Sequence, residues 1–280
     1  MSNAHSFRSA PRPLVAVFSL LSLLATAQET KEVRYTVEAK AVIAIRNNCG
    51  PITVKPSGNR QTVVTTVSHS NAVSFVNEQY GSRIELRTDC RRPGTSLADY
   101  TVLVPSDAVV TLRSSDGALR VQGLSGDVIL EAATASVEVT DISGAHVHVK
   151  SLSGSVTLTD VRNSHLDVRS LSGDVNIHNV RESFLQAHSG SGRISYDGDP
   201  GKSGDYRLTS HSGDLEVSIP ASALVEIRVH SLKGESDQGL PSAGSVPPAG
   251  QRSPLLRAGT VNASRFVLRS FRGGIHVKRP

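Results

Sequence analysis

Apolar residues recur in pairs two positions apart, and these pairs repeat at a nearly constant interval along most of the chain. Two and four residues after a small residue come Val156 and Leu158 in one repeat and Val175 and Ile177 in the next. The small residues fall at intervals of 18, 19, 19, 19, 21, 21 and 39 residues: Gly117, Ala135, Gly154, Gly173, Gly192, Gly213, Gly234 and Gly273. A period of two predicts a short strand with one buried face.

A second apolar pair closes each repeat, as Val147/Val149 and Leu166/Val168 do. Two strands in about 19 residues cannot bury an apolar face alone, but stacked repeats can. The sequence therefore predicts an all-β fold, a parallel β-helix or β-solenoid with coils of about 19–21 residues and two short strands per coil. An antiparallel sandwich is the alternative, although a sandwich does not require a constant repeat length in the sequence.

The residues between the strands predict the chemistry of the corners. The repeated glycines are expected to adopt positive φ, and the serines three residues before them are expected to point inward and bond to neighbouring coils. Asp141, Asp160 and Asn179 share a position at the opposite corner, where they could satisfy turn amides. Calcium binding, as in glycine-rich β-rolls, fits poorly because Asp174 and Asp214 directly precede their apolar residue.

The chain begins with features of a secretory signal. Arg8 and Arg12 precede an apolar run at 14–24, and Ala25-Thr26-Ala27 follows as a small-x-small cleavage pattern. We therefore predict a cleaved signal peptide at 1–27, with the alternative of an uncleaved anchor. We further predict a cap with irregular first coils at 28–105, and a regular solenoid at 106–280 with a flexible loop at about 237–254. The expected mature chain contains no apolar run long enough to span a membrane.

Composition, charge and cysteine count restrict the classes of function that the chain could have. Aromatic residues make up only 4% of the 280 residues, and the formal net charge is +5, which is too small to argue for nucleic acid. Cys49 and Cys90 are the only cysteines. In an exported chain this even count favours a disulfide between them, with two free thiols as the alternative.

The repeat itself resembles a known family. The run Arg169-Ser-Leu-Ser-Gly-Asp-Val-Asn-Ile177, its echoes at 150–158 and 209–217, and the closing run Leu268-Arg-Ser-Phe-Arg-Gly-Gly-Ile-His-Val277 resemble the bacterial putative-adhesin domain family. The resemblance covers about residues 40–280. It implies an exported β-solenoid with a surface or adhesion role, and it implies no catalytic residues.

The outward positions of the second strand carry the candidate binding residues. They predict a basic face that could bind anionic glycans of the cell envelope, although a merely solvated face is the simpler interpretation. The residues of this predicted face are Lys150, Arg169, Arg207, Arg228, Arg265 and Arg269.

A metal site is a further hypothesis. His146 and His148 lie two apart on one coil, and His165 and Asp167 take the equivalent places on the next. Four such side chains would form a compact square able to share a zinc or copper ion. Exposed, solvated histidines are the simpler interpretation.

No motif for a nucleotide, a catalytic nucleophile or a zinc protease occurs. We therefore expect an exported, non-enzymatic, adhesin-like interaction module that needs no cofactor and has an envelope polysaccharide or another envelope protein as its partner, with no role for nucleic acid. The alternatives are a carbohydrate-active β-helix enzyme and a structural envelope scaffold. A cluster of carboxylates in a cleft would favour the enzyme.

Overall fold

The computed structural model describes residues 29–70, 72–90, 97–233, 236–237 and 262–280. The predicted signal peptide at 1–27 and nearly all of the predicted loop at 237–254 lie outside these residues and stay predictions. Within the described ranges every regular element is a strand, and no helix is long and apolar enough to cross a membrane.

The strands, in chain order, are β1 (Glu29–Thr36), β2 (Val42–Arg46), β3 (Ile52–Ser57), β4 (Gln61–Ser68), β5 (Val73–Tyr80), β6 (Arg83–Cys90), β7 (Ala98–Pro105), β8 (Val109–Ser114), β9 (Leu119–Gln122), β10 (Val128–Ala132), β11 (Val137–Ser143), β12 (His146–Ser151), β13 (Val156–Arg162), β14 (His165–Ser170), β15 (Val175–His178), β16 (Phe184–Ser189), β17 (Ile194–Asp197), β18 (Asp205–Ser210), β19 (Leu215–Ser218), β20 (Val225–Ser231), β21 (Ser236–Asp237), β22 (Ser264–Ser270) and β23 (Ile275–Lys278).

These strands form two long sheets. Sheet A has the order β1-β4-β7-β3-β9-β11-β13-β15-β17-β19-β23-β21. Sheet B has the order β20-β22-β18-β16-β14-β12-β10-β8-β2-β6-β5. From β8 to β19 the chain alternates between the sheets, so each coil contributes one strand to each.

The strand register confirms the β-solenoid. Val156 pairs with Val175 and Val175 pairs with Ile194, all in parallel strands, and the three side chains are fully buried. Equivalent residues of successive coils therefore lie one above the other at a spacing of about 4.8 Å. Each such side chain contributes roughly 1.5–3 kcal/mol by leaving water, so the aliphatic column between the sheets dominates the stability of the fold.

Both ends of the solenoid depart from chain order. The coil β2/β3 lies between β6/β7 and β8/β9, and the coil β22/β23 lies between β18/β19 and β20/β21. All of these neighbours are parallel. At each end, a coil from nearer the chain terminus therefore lies between two coils that are consecutive in sequence, and its backbone pairs with both of them.

Antiparallel strands close the N-terminal end. β4 pairs with β7, β1 pairs with β4, and β5 pairs with β6. An uncovered parallel edge would present unpaired N–H and C=O groups, and these strands take up those groups.

The corner glycines have a different role from the one expected. Gly154, Gly173, Gly192 and Gly213 do not adopt positive φ. Instead, a Cβ atom added to any one of them would overlap the backbone carbonyl of the preceding small residue in the stack. The requirement for glycine is therefore close backbone packing between coils. Ala135 takes this place in one row, and nothing in the structure explains why a Cβ is accepted there.

The corner serines point inward, and Ser151, Ser170 and Ser270 bond within their own corner rather than to the stack. In the described part of the chain, the buried hydroxyl groups of Ser189 and Ser210 have no hydrogen-bond partner. The hydroxyl groups of Ser151 and Ser170 donate to the carbonyl oxygens of Gly154 and Gly173 at 2.7 and 2.6 Å. This bond joins residues three apart, so it fixes the turn between the two strands of one coil.

Positive φ occurs at the opposite corner. Asp141, Asp160 and Asn179 have φ of 55°, 55° and 52°, and Gly123 holds the preceding place in the column with φ of 70°. Asp and Asn tolerate this left-handed conformation better than most residues. The amide of Asn179 also donates to the carboxylate of Asp160 in the neighbouring coil.

Candidate functional site: a basic column and groove on sheet B

The candidate site lies on the outer face of sheet B. On each strand the residue before the inward corner position points to solvent, and the parallel register superposes these residues. We call this set the basic column. From the N-terminal end it reads Arg87, Arg46, Arg113, Glu131, Lys150, Arg169, His188, Thr209, Arg269 and His230.

Three arginines occupy successive rows of this column. Arg46 pairs in register with Arg87 on one side and with Arg113 on the other. Like charges directly opposite on neighbouring strands are unfavourable, and ion pairs of two of the three arginines offset part of this repulsion. Arg87 contacts Asp89 at 3.1 Å and Arg113 contacts Glu131 at 2.9 Å. Within the described ranges, Arg46 and Lys150 have no carboxylate partner.

A groove of about 640 Å³ lies beside these arginines. Its floor includes the outward side chains of Val42, Ala44, Thr111 and Ile129. These are short or apolar, whereas the same face carries long charged side chains elsewhere, and the difference in length creates the depression. The rest of its lining includes Arg46, Arg113 and Lys150 from the basic column, together with Val76, Glu78, Arg83 and Glu85 from β5 and β6.

The groove also contains carboxylates. Glu78 and Glu85 are direct cross-strand partners on β5 and β6. Glu85 accepts a hydrogen bond from Arg83 at 2.6 Å, and Glu78 accepts one from the Tyr80 hydroxyl at 3.0 Å. This hydrogen bond with Glu78 is the main cause of the raised pKa of Tyr80.

The predicted basic face is spread over three outward columns of sheet B. Lys150, Arg169 and Arg269 lie in the basic column, whereas Arg207 and Arg228 lie in the adjacent column and Arg265 in the one beyond. Arg269 sits between Thr209 and His230, because β22 lies between β18 and β20.

Carboxylates compensate most of these predicted cations. Ion pairs join Arg169 to Asp167 at 3.1 Å and Arg207 to Asp205 at 3.1 Å. Glu226 contacts Arg228 at 2.8 Å and Arg265 at 3.7 Å. Exposed pairs of this kind contribute about 0–1 kcal/mol to stability, but they reduce the net charge that an anionic ligand would meet.

The four residues of the metal hypothesis do lie in adjacent rows. His146 pairs in register with His165, and His148 with Asp167. His148 and Asp167 contact each other, whereas His146 and His165 also contact residues outside the set. His146 Nδ1 lies 3.2 Å from Asp127, His148 Nδ1 lies 3.2 Å from Asp167, and the His165 ring lies 4.6 Å from the Phe184 ring. In the part of the chain that the structure describes, no group of three or more His, Cys, Asp or Glu side chains is placed to hold a metal ion.

Cys49 and Cys90 are joined by a disulfide with Cα atoms 6.5 Å apart. The bond links the corner between β2 and β3 to the end of β6. The buried side chain of Asn47 holds the same corner: its Nδ2 donates to Gly50 O at 3.0 Å and to Ala98 O at 2.8 Å. Both features fix the strands that carry Arg46 and Arg87.

Sequence reasoning overlooked the N-terminal half of the basic column. Arg113 precedes Ser114 as Lys150 precedes Ser151, so the repeat pattern was sufficient to identify Arg113 as a member of the column. The positions after Arg46 and Arg87 are held by other polar residues, which concealed the pattern. The spacing of the repeats does not indicate that β2 and β6 are neighbours.

The family model described as Toastrack DUF4097 matches residues 41–245. The chain belongs to this family. The match confirms the resemblance to the putative-adhesin domain family, and it spans the Arg46 and Arg113 rows as well as the regular coils. Comparison with curated proteins gives no match.

Two solved structures are similar to the chain over most of its length. One is a putative cell adhesion protein from Clostridium sporogenes, with 12% identity, a TM-score of 0.27 and coverage of 90% of this chain and 100% of that one. The other is a putative adhesin from Bacteroides fragilis, with 12% identity, a TM-score of 0.32 and coverage of 90% and 98%. Similarities this weak carry no argument about function.

Proposed function

We propose that the chain is an exported, non-enzymatic interaction module that binds an acidic polysaccharide of the cell envelope in the groove of sheet B. The observation that carries the proposal is the stack of Arg87, Arg46 and Arg113 in successive rows beside an apolar floor. A polymer with regularly spaced carboxylates relieves the repulsion within such a stack.

The chemistry of the groove favours a carboxylated sugar polymer. A guanidinium group presents a planar fork that matches a carboxylate in a bidentate arrangement. The rows repeat at about 4.8 Å, so an extended chain running along the solenoid axis meets three cations in successive rows before it reaches Glu131. The floor of Val42, Ala44 and Ile129 offers an apolar surface for the faces of sugar rings.

The binding test uses the full chain with polygalacturonate, and with neutral dextran for comparison. The expected result is binding to polygalacturonate that weakens as NaCl rises from 50 to 200 mM, and no binding to dextran. Arg46→Gln/Arg113→Gln should weaken binding by about tenfold or more, because charge-assisted hydrogen bonds are lost.

The matched control is Arg207→Gln/Arg228→Gln. It removes the same charge from the same sheet, away from the groove. It should change the affinity by less than about twofold. Equal losses in both variants would indicate non-specific attraction to a basic protein, and absence of salt-sensitive binding would overturn the proposal.

The export component is tested separately. Its support is the signal-like sequence at 1–27, together with the Cys49–Cys90 disulfide, a bond typical of oxidising compartments. Fractionation of producing cells should place the chain outside the cytoplasm, with a mature N-terminus near Gln28. Recovery in the cytoplasm with an intact N-terminus would contradict export.

The paired carboxylates favour one second candidate, a carbohydrate-active enzyme. Glu78 and Glu85 face the groove from neighbouring strands, and glycoside hydrolases use two such carboxylates. The ion pair of Glu85 with Arg83 favours a structural role for it. Release of reducing ends from polygalacturonate, abolished by Glu78→Gln and by Glu85→Gln, would establish the enzyme; no release by the wild type would exclude it for this substrate.

A further inference from the structure

A second surface feature lies at the corner next to the basic column and shares only Lys150 with the groove. The residue that follows each corner serine position points out of the corner. We call these residues the corner column; from β12 onward they are, in spatial order, Leu152, Leu171, Gly190, His211, Phe271 and Leu232. Backbone hydrogen bonds between rows set this alignment, for example Leu171 N to Ser151 O at 3.0 Å and Phe271 N to Ser210 O at 3.2 Å.

The corner column concentrates exposed apolar side chains. Leu152, Leu171 and Leu232 are 57, 64 and 73% exposed. Only two other large apolar residues in the described ranges, Tyr80 and Leu224, are exposed. Scattered exposed leucines are ordinary, but a line of them along one edge marks an interaction surface.

Aromatic rings extend this line toward the C-terminal end. The rings of His211 and Phe271 are stacked with centroids 5.0 Å apart and planes 7° apart. A pocket of about 480 Å³ beside them is lined in part by Arg269, His188 and His230.

Cations flank the corner column on both sides. Lys150, Arg169 and Arg269 precede Leu152, Leu171 and Phe271 by two residues in the basic column. On the other side, Arg272 and Lys233 lie with Cζ and Nζ 5.9 and 5.8 Å from the Phe271 ring centroid.

Acidic side chains are missing from this strip. In these six rows, the basic column, the serine position, the corner column and the residue after it contain no Asp or Glu. The edge therefore has apolar side chains at four of its six crest positions. One flank carries Lys150, Arg169 and Arg269, of which Arg169 is paired with Asp167 beside the strip, and the other flank carries cations only at Arg272 and Lys233. Six rows at about 4.8 Å give it a length of roughly 24 Å.

We propose that this edge docks on an anionic lipid surface. Leu152, Leu171 and Phe271 would enter the boundary between headgroups and acyl chains, while the flanking lysines and arginines contact lipid phosphates. Lys and Arg near an anionic leaflet are attracted to it, and apolar groups at the crest of a ridge can enter it without burying the polar sheets. A polysaccharide offers no apolar phase for the leucines, so the inference goes beyond the proposed function.

Vesicle sedimentation of the predicted mature chain, which begins near Gln28 and lacks the apolar run at 14–24, tests the proposal. We expect binding to vesicles of phosphatidylcholine with 30% phosphatidylglycerol, and little binding to phosphatidylcholine alone. Leu152→Ser/Leu171→Ser should reduce partitioning to the anionic vesicles by at least tenfold with an unchanged circular dichroism spectrum. The matched control Tyr80→Ser/Leu224→Ser removes two exposed apolar side chains elsewhere and should retain binding.

Further arms separate this proposal from neighbouring ones. Soluble glycerol phosphate at millimolar concentration should not displace the chain from vesicles; displacement would reduce the site to a phosphate site and overturn lipid docking. Arg46→Gln/Arg113→Gln should keep vesicle binding while losing polygalacturonate, and Leu152→Ser/Leu171→Ser should do the reverse. Failure of the wild type to bind anionic vesicles, or equal binding by the leucine variant, would also overturn the proposal, and a protein partner would then be the better explanation of the edge.

Discussion

Gly173 lies so close to the backbone carbonyl of Gly154 in the preceding coil that a Cβ atom on Gly173 would overlap the carbonyl oxygen. The same relationship joins Gly192 to Gly173 and Gly213 to Gly192. These contacts form a ladder of backbone approaches along one corner. Because the neighbour is backbone in each case, it cannot move aside as the end of a flexible side chain can.

Gly173→Ala should therefore destabilise the fold. The added methyl group forces two coils apart at a corner where both are held by hydrogen bonds, and overpacking of this kind costs about 1–3 kcal/mol. Denaturant unfolding followed by circular dichroism would measure the loss. Gly58→Ala is the matched control, since nothing lies within 4 Å of a Cβ added there. Equal stability of the two variants would contradict the role of close packing at this corner.

The solenoid was predictable because its core residues recur at a constant spacing in the sequence. Val156, Val175 and Ile194 are 19 residues apart, and the structure pairs them in register. An offset between equivalent residues specifies which side chains share a column. It does not specify the order of the rows, and for this reason the placement of β22 between β18 and β20 was not foreseen.

At the corners, the predicted pattern of small residues is correct, but the physical reason given for it is wrong. Small residues at the corner were predicted from their spacing, but positive φ was the wrong reason, because neither Gly154 nor Gly173 adopts it. Sequence alone does not distinguish a glycine needed for its dihedral angles from one needed for close approach. The distinction depends on how near the next coil lies.

The candidate site was only partly predictable for a related reason. Lys150 and Arg169 were found because the repeat is regular there. Arg46 and Arg87 become neighbours only through the insertion of β2 between β6 and β8. The three-arginine stack is thus a product of the end topology, which the repeat does not encode.

Reduction of the Cys49–Cys90 disulfide should lower stability. The bond joins residues 41 apart in sequence, and closing a loop of that length in the unfolded chain is worth about 2–4 kcal/mol. The midpoint of thermal unfolding should fall on addition of a reductant. The double variant Cys49→Ser/Cys90→Ser should unfold at a similarly lowered temperature and be insensitive to reductant. Alkylation of both thiols in the unreduced native chain would show that the bond is absent.

Alkaline pH should destabilise the C-terminal half of the core through Tyr206. This side chain is buried against Phe266, and the single proton of its hydroxyl is shared between Val180 O at 3.0 Å and Pro200 O at 2.9 Å. Burial raises the pKa of Tyr206 to about 12, and it also raises the pKa of the neighbouring Tyr196. In the unfolded chain a tyrosine has a pKa near 10.

Between pH 10 and 12 the folded chain thus keeps a proton that the unfolded chain releases. The contribution of Tyr206 to the free energy of unfolding is complete below pH 10 and falls as pH rises toward 12, by up to about 1.4 kcal/mol per unit. Tyr206→Phe should cost about 1 kcal/mol at pH 7 from the lost hydrogen bonds, yet lose less stability than the wild type across this interval. Urea unfolding at pH 8, 10 and 11 compares the two slopes. Parallel slopes would show that Tyr206 does not titrate with folding, and the alkaline sensitivity would then have to come from another buried tyrosine, such as Tyr100, whose pKa burial also raises to about 12.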